Sequence, residues 1–178
     1  MKPKVVESKI LMEGRVFKLR HDDVKYPDGH KTTYDVIEHS GAVALVPIDD
    51  NGDIWFVRQY RHAAGESMLE LPAGTLEQGE EPETCAHREL REEIGHSASK
   101  LEKLGEFYLA PGYSSEFMHA YMATQLTYNP LEPDEDEFLQ IETLNWNQVD
   151  HMLINGGFRD AKTIACLLLA KQYNIGSK

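Results

Sequence analysis

The chain has 178 residues, enough for one domain with a sizeable hydrophobic core. It has no apolar run of about 18 residues or more and no signal-peptide pattern near its start, so a cytoplasmic protein without a membrane helix is expected. The formal net charge of −12 disfavours nucleic acid and anionic membranes as partners. Cys85 and Cys166 have no metal-binding spacing and are expected to be small buried residues.

The first third of the chain is predicted to be β-structure. Alternating and continuous apolar patterns predict strands at 5–11, 16–25, 32–38, 42–48 and 54–60. The run at 42–48 is apolar throughout, as is typical of a central strand. Turns are predicted at Pro27-Asp28-Gly29 and Asp49-Asp50-Asn51-Gly52. A loop rich in glycine and glutamate follows the last of these strands.

Helices and strands alternate in the rest of the chain. A helix is predicted at 82–94, with Pro82 at its first position, Glu83 beside the positive end of its dipole and Gly95 at its end. Further strands are predicted at 104–109, 117–124 and 138–145, an acidic loop at 129–137, and helices at 147–155 and 160–173. The mixed order predicts an α+β fold, with helices packed on a mixed sheet.

Three glutamates of the first predicted helix share one face. At the helical angle of about 100° per residue, Glu89, Glu92 and Glu93 fall within an arc of about 100°. An apolar stripe that can pack on the sheet lies beside them and contains Ala86, Leu90 and Ile94. The carboxylates repel one another by a few tenths of a kcal/mol per pair. Magnesium prefers such oxygen ligands and shares its coordination with substrate phosphates.

An ordinary solvated helix face is the alternative interpretation of these acids. Two observations favour a metal site instead. Gly74 and Gly79 precede the helix in a loop whose backbone can approach a ligand closely. The carboxylates also lie at the edge of a face that is expected to be buried, where their charge needs a partner.

The segment 74–96 resembles the Nudix box, in which a glycine is followed after five residues by glutamate and after seven more by REUxEExGU, where U is a bulky aliphatic residue. The specified positions are occupied by Gly74, Glu80, Arg88, Glu89, Leu90, Glu92, Glu93 and Gly95. His96 replaces the last aliphatic residue, which is expected to weaken a core contact only. The resemblance implies an α/β/α sandwich with a mixed sheet at 41–178, preceded by a small N-terminal β segment at 1–40.

The resemblance also implies roles for the acidic residues. The implied metal ligands are Glu89, Glu92, Glu93 and the backbone carbonyl of Ala73. Mg²⁺ is the expected ion, with Mn²⁺ as a substitute. Gly74, Glu80 and Arg88 are implied to support the site, Arg88 by orienting the glutamates. The implied reaction is metal-assisted attack of water on phosphorus, with Glu92 and Glu93 taking part through the metal and a carboxylate accepting the proton of the water.

Other segments resemble the branch of the family that contains the ADP-ribose pyrophosphatases, which act on nucleoside diphosphate sugars. These segments are 59–61, 70–74, the loop at 110–116 with Pro111, and 159–163. The substrate-binding residues implied by this likeness are Arg61, Glu70, Gly112 and Glu116. Arg61 suits bidentate binding of phosphate, although an exposed strand charge is its alternative interpretation. An ordinary loop acid is the alternative for Glu116.

The acidic loop near residue 135 supplies the general base in this branch of the family. Glu135 aligns best with that base, and Glu137 is the second candidate. Without the resemblance, the loop would be interpreted as a solvated acidic segment. A base on a loop could close over the substrate and exclude water when it is needed.

The resemblance implies a homodimer in which the N-terminal segment reaches the partner's site. Phe17 or Tyr34 of this segment could then stack on adenine. Two alternative functions remain open. The first is a Nudix hydrolase for nucleoside triphosphates, dinucleoside polyphosphates or RNA 5′ ends, and the Pro111 loop and the net charge argue against RNA. The second is a non-catalytic ADP-ribose sensor, against which the intact glutamates argue.

Overall fold

A computed structural model describes residues 2–132 and 138–176. In these ranges the chain forms ten strands and three helices. The strands are β1 (Lys4–Glu13), β2 (Lys18–Lys25), β3 (Lys31–Glu38), β4 (Ala42–Pro47), β5 (Ile54–Arg61), β6 (Glu66–Glu70), β7 (Ala73–Thr75), β8 (His96–Tyr108), β9 (Phe117–Tyr128) and β10 (Gln140–Leu144). The helices are α1 (Pro82–Glu93), α2 (Trp146–Ile154) and α3 (Ala161–Gly176). None of the described helices is long and apolar enough to cross a membrane.

The N-terminal strands form a sheet of their own, in the antiparallel order β1-β2-β3. Strand β1 is exposed along its whole length. Strand β3 connects the sheet to the rest of the molecule, because the Ile37 N–H donates to the Tyr113 carbonyl at 2.8 Å and the Ile37 carbonyl accepts from the Ser115 N–H at 2.9 Å. The small sheet therefore touches the loop that follows β8.

A mixed sheet in the order β7-β4-β9-β8 forms the centre of the fold. Strands β4 and β9 run parallel, and the other pairs are antiparallel. Strand β4 is buried throughout, and its side chains alternate between two cores. Val43 and Leu45 pack with α1, whereas Ala44 and Val46 pack with α2 and α3. The α/β/α sandwich predicted from the sequence is thereby confirmed.

A second sheet, in the order β10-β5-β6, is antiparallel. Its strand β5 contributes Phe56 to the core that α2 and α3 cover and Val57 to the core that α1 covers. Phe56 stacks on Phe158, which precedes α3, with ring centroids 5.4 Å apart. This contact holds the start of α3 close to the end of β6, where the functional site lies.

Helix α1 begins at Pro82 as predicted, ends one residue earlier than predicted, at Glu93, and has the predicted buried face. Pro82 occupies its first turn, and Gly95 follows it in a left-handed conformation with φ of +69°. Ala86, Leu90 and Ile94 are at most 2% exposed, so the apolar stripe packs on the sheet as expected. Helix α2 begins with a capping box between Asn145 and Gln148.

The strands β6 and β7 lie where the sequence predicted only a loop. Strand β6 contains glutamate at both ends and pairs with β5, while β7 has three residues and pairs with β4. Strand β8 begins at His96 and is longer than the predicted strand at 104–109, because it pairs with β9 up to Tyr128. Pairing with a distant partner stabilises these segments, which carry a weak local strand signal.

Candidate active site

The three glutamates of α1 come together as the helical spacing predicts. Glu89 and Glu93 are buried, and the side chain of Glu92 is 20% exposed. The Arg88 Nη1 donates to Glu89 at 2.6 Å and to Glu92 at 2.9 Å. A single guanidinium thus compensates two neighbouring carboxylates, which reduces their mutual repulsion.

Arg88 also binds Glu80, which lies in the loop before α1. The Arg88 Nε and Nη2 donate to the two carboxylate oxygens of Glu80 at 3.0 and 2.9 Å, in a bidentate pair. The hydrogen bonds from Arg88 are the main cause that lowers the pKa of Glu80 from 4.5 to about 2. The same pair raises the pKa of Arg88. Glu80 and Arg88 therefore form a charged unit at every ordinary pH.

The backbone of β7 lies directly against these glutamates. The Ala73 N–H donates to the Glu93 Oε2 at 2.9 Å. A Cβ placed on Gly74 would lie 1.8 Å from the Glu89 Oε1, so any larger residue would overlap that carboxylate. The absence of a side chain at Gly74 therefore allows the close approach of strand and helix, and Ala73 lies beside the acidic cluster.

A cleft of about 720 Å³ lies over the acidic face of α1. Its walls include Arg15, Arg61, Gly74, Glu89 and Glu92. A second cavity of about 390 Å³ adjoins it, shares Arg61 and Gly74 with it, and contains Glu116 and Lys162. Acidic and basic side chains thus face the same space, which suits a ligand with phosphate groups and bound cations.

Arg61 and Glu70 form a bidentate ion pair at the junction of these cavities. The Arg61 Nε and Nη2 donate to the two Glu70 oxygens at 2.9 and 2.8 Å. Lys162 contacts the same carboxylate. Burial acts to raise the pKa of Glu70, but Arg61 and Lys162 outweigh it and the pKa lies below its ordinary value. Both Glu70 oxygens are therefore engaged by cations of the chain itself.

The other residues predicted to bind substrate lie on the wall of the second cavity or outside both cavities. Glu116 lies on the wall of the second cavity, where its N–H donates to the Ser114 hydroxyl at 3.1 Å. Gly112 lies in the turn before it and outside the described walls of both cavities. Phe17, between β1 and β2, and Tyr34 of β3 are also outside those walls, and the Tyr34 hydroxyl lies 2.7 Å from that of Tyr26. The candidate bases Glu135 and Glu137 lie outside the described residues.

Sequence reasoning gave no role to Lys162 and Asp160, which belong to the same charged network. Lys162 is 8% exposed, and its Nζ donates to the Asp160 Oδ2 at 2.8 Å. The signal in the sequence was the segment 159–163, which resembles the family branch. The contact of Lys162 with Glu70 could not be derived from sequence spacing, because the two residues are 92 positions apart in the chain.

His96, which replaces the last aliphatic residue of the Nudix pattern, does not leave a gap in the packing. The His96 ring packs edge-on against Trp55, with ring centroids 4.6 Å apart, and against Tyr128 at 5.6 Å. Its Nδ1 lies 2.7 Å from the Ile94 carbonyl.

Both cysteines are buried as expected, and burial is the main cause that raises the pKa of the Cys166 thiol to about 12.

The residues of the acidic cluster fit a hard divalent cation by their chemistry. They offer carboxylate oxygens that are negatively charged and largely withdrawn from water, next to a backbone that only glycine allows to approach so closely. Within 2–132 and 138–176, no three His, Cys, Asp or Glu side chains are already gathered around one point as a metal would require. In this arrangement Arg88 contacts Glu89 and Glu92 instead.

The sandwich, with its acidic helix beneath a cleft of about 720 Å³, has the architecture of a Nudix hydrolase. Residues 38–167 match the family model of the NUDIX domain, and the chain belongs to this family. It is 36% identical to the ADP-ribose pyrophosphatase of Bacillus subtilis (strain 168), over 92% of this chain and 89% of that protein. It is also 36% identical to the methanol dehydrogenase activator of Bacillus methanolicus, over 96% of this chain and 91% of that protein.

The fold is similar to a solved structure as well. The crystal structure of an ADP compounds hydrolase superposes with a TM-score of 0.87 and 27% identity, covering 99% of this chain and 96% of that one. The N-terminal sheet is thus included in the similarity. The family and the fold that the sequence predicted are both confirmed.

Proposed function

We propose that this Nudix hydrolase cleaves the pyrophosphate bond of ADP-ribose or another nucleoside diphosphate sugar, giving a nucleoside monophosphate and a sugar phosphate. The observation that carries the proposal is the position of Glu89 and Glu92 in the wall of a cleft that also contains Arg61. The backbone of Ala73 and Gly74 lies against Glu93 and Glu89 at the edge of this cleft. The ADP-ribose pyrophosphatase and the ADP compounds hydrolase support ADP-containing substrates.

Glu89, Glu92, Glu93 and the Ala73 carbonyl would hold the divalent metal that Nudix enzymes generally need. Mg²⁺ is the proposed ion and Mn²⁺ its substitute, because the donors are hard oxygen atoms. When bound, such an ion would neutralise phosphate charge and lower the pKa of the attacking water. It would also reverse the local field of the acidic cleft, so that an anionic substrate can enter a chain of net charge −12.

Other side chains of the protein would bind the phosphates, hold the α1 glutamates in place and accept the proton of the attacking water. Glu70 uses two of the five N–H donors of Arg61, and the other three can bind phosphate oxygens. Glu80 and Arg88 would hold the glutamates of α1 in place. Glu135 is the proposed base that accepts the proton of the attacking water, and Glu137 is the alternative. Glu116 would contribute to the second cavity, where the sugar phosphate half would lie.

A homodimer is part of the proposal. The N-terminal strand β1 exposes Val6 and Leu11, which are 63% and 57% accessible in the single chain. Apolar residues concentrated on one exposed strand favour contact with a second copy of this chain. That copy would bring its N-terminal sheet to the substrate site, where Gly112 and an aromatic residue such as Phe17 could contact the ligand.

The decisive experiment is a chromatographic product assay on the purified protein. The substrates are ADP-ribose, ADP-glucose, UDP-glucose, GDP-mannose, diadenosine polyphosphates and nucleoside triphosphates, each with and without Mg²⁺. Nucleoside monophosphate and sugar phosphate, formed only with metal, are the expected products. Turnover of triphosphates or dinucleotides alone would overturn the substrate class. Binding of ADP-ribose without any turnover would favour the sensor.

A further inference from the structure

Lys162 is a buried cation with no assigned role. It lies in the first turn of α3, and its Nζ contacts the Glu70 carboxylate and donates to the Asp160 Oδ2. A buried ammonium group is costly unless it is paired and hydrogen-bonded. With Arg61, the group contains two cations and two anions, so its charges balance within a small volume.

The first turn of α3 is itself firmly attached. The Asp160 Oδ2 accepts from the Thr163 N–H at 3.0 Å and from the Thr163 hydroxyl at 2.6 Å, which caps the helix. The Thr163 Oγ1 in turn accepts from the Leu71 N–H at 2.9 Å. Leu71 follows Glu70 directly, so helix α3 and the end of β6 are joined by this hydrogen bond between backbone and side chain as well as by the ion pair.

This attachment constrains Glu70 and, through it, Arg61. A carboxylate paired with one arginine can rotate while the flexible arginine follows it. Here Lys162 holds one Glu70 oxygen from a fixed helix, so the plane of the carboxylate is set. The bidentate geometry then sets the plane of the Arg61 guanidinium. The Arg61 side chain is 42% exposed and lies on the walls of both cavities.

We propose that Lys162 is a positioning residue for substrate binding, which orients the Arg61 guanidinium towards the pyrophosphate by holding Glu70 from helix α3. This inference rests on the proposed function, because it assumes that Arg61 binds the diphosphate. A purely structural Lys162 would stabilise the fold without affecting the affinity of the folded enzyme for its substrate. The two roles therefore predict different values of KM for a Lys162 variant. They also predict different effects of that variant when Arg61 is absent.

The test is a double-mutant cycle of Lys162→Met and Arg61→Met, with Lys162→Arg as the conservative variant. Lys171→Met is the matched control, since Lys171 lies on the same helix and its Nζ donates to Asp150 at 2.5 Å, away from the site. We expect Lys162→Met to raise KM about tenfold, as for the loss of one charged hydrogen bond, and Lys162→Arg to recover most of it.

In the Arg61→Met background, Lys162→Met should change KM by less than about twofold, because the two residues act in series. Lys171→Met should keep the wild-type KM. The inference is overturned if Lys162→Met keeps the wild-type KM, or if it raises KM by the same factor with and without Arg61. Lys162→Gln replaces Lys162→Met if the latter does not fold, and the same pattern is required of it.

Wild-type turnover separates this inference from the proposed function. If the wild-type enzyme hydrolyses no diphosphate sugar, the proposed function fails and Lys162 loses its role with it. If the wild-type enzyme hydrolyses such a substrate and Lys162→Met behaves like Lys171→Met, the positioning role alone fails. Thermal unfolding of each variant, measured alongside, assigns any loss of active enzyme to stability and leaves KM as the deciding quantity.

Discussion

Arg88 is the residue on which the charges of the acidic helix depend. It binds Glu80 through two nitrogen atoms and contacts Glu89 and Glu92 through the third. Lysine could not replace it, because the planar guanidinium offers three nitrogen atoms to separate partners. A single ammonium group cannot reach all of these partners at once. Removal of any one glutamate would leave Arg88 with other partners, so effects on activity and on stability can be separated in this cluster.

Glu93→Gln tests the metal assignment at the scale of one residue. The substitution keeps the shape of the side chain and removes a negative charge from the proposed ligand set. We expect metal-dependent turnover to fall by about a hundredfold or more, measured by the product assay. Glu83→Gln, in the exposed first turn of the same helix, should retain wild-type turnover. Near-wild-type rates for Glu93→Gln would contradict the assignment.

Glu80→Gln tests the ion pair through the pH dependence of stability. The pKa of Glu80 is lowered from 4.5 to about 2, chiefly by Arg88, so the folded state binds this proton less readily than the unfolded state. The stabilisation is complete above about pH 4.5 and is lost as the pH falls towards about 2.

We therefore expect the wild type to exceed Glu80→Gln in free energy of unfolding above about pH 5, and the difference to shrink below that pH. Urea unfolding at a series of pH values, without divalent metal, measures it. A difference that stays constant from about pH 3 to 7 would argue against the ion pair as its cause.

At the scale of elements, the functional site depends on the contact between strand β7 and helix α1. The strand has only three residues, and it brings the backbone of Ala73 and Gly74 to the buried glutamates. Strand β4 supports both partners, since it pairs with β7 at its edge and packs against α1 with its Val43 and Leu45 side chains. A small shift of β7 would therefore alter the acidic cluster directly.

Gly74→Ala tests this contact. An added Cβ would lie 1.8 Å from the Glu89 Oε1, so the carboxylate or the strand must move. We expect a loss of about 1–3 kcal/mol of unfolding free energy and a marked fall in turnover. Gly105→Ala is the control, because its Cβ would meet only the tip of the Leu169 side chain, at 3.3 Å. Equal behaviour of the two variants would show that β7 and α1 are not tightly coupled.

At the scale of the whole molecule, the N-terminal sheet is the least buried part of the described chain. It is joined to the central fold through β3 and the loop after β8, while β1 contacts only β2 within its own sheet. A three-stranded sheet is marginally stable unless one of its faces is covered. The proposed homodimer would supply that cover, and it would explain the exposed apolar residues on β1.

Replacement of Val6 and Leu11 together by glutamate tests the dimer. Both residues are exposed in the single chain, so the change should cost little within one subunit but should disfavour an apolar interface. Sedimentation equilibrium should give a dimer for the wild type and a monomer for the variant, with lower turnover in the monomer. Ile154→Glu, at the exposed end of α2, should remain dimeric. A monomeric wild type would contradict the dimer.

Much of the fold and part of the site could be predicted because the relevant patterns are local. The spacing of Glu89, Glu92 and Glu93 along one helix, and the apolar stripe beside them, require no knowledge of other elements. The central strand β4 is apolar at every position because both of its faces are buried. The short strands β6 and β7 were missed because their pairing with β5 and β4, rather than their composition, stabilises them.

The sequence by itself therefore determined the family, the α/β/α sandwich and the acidic helix with its three glutamates. Only the tertiary structure decided that Glu70 joins Arg61 to Lys162, that Gly74 lies against Glu89, and that His96 packs on Trp55. Helical and strand periodicity relates only neighbours in the sequence. These contacts instead join residues up to 92 positions apart, and they form only when separate elements have packed into one core.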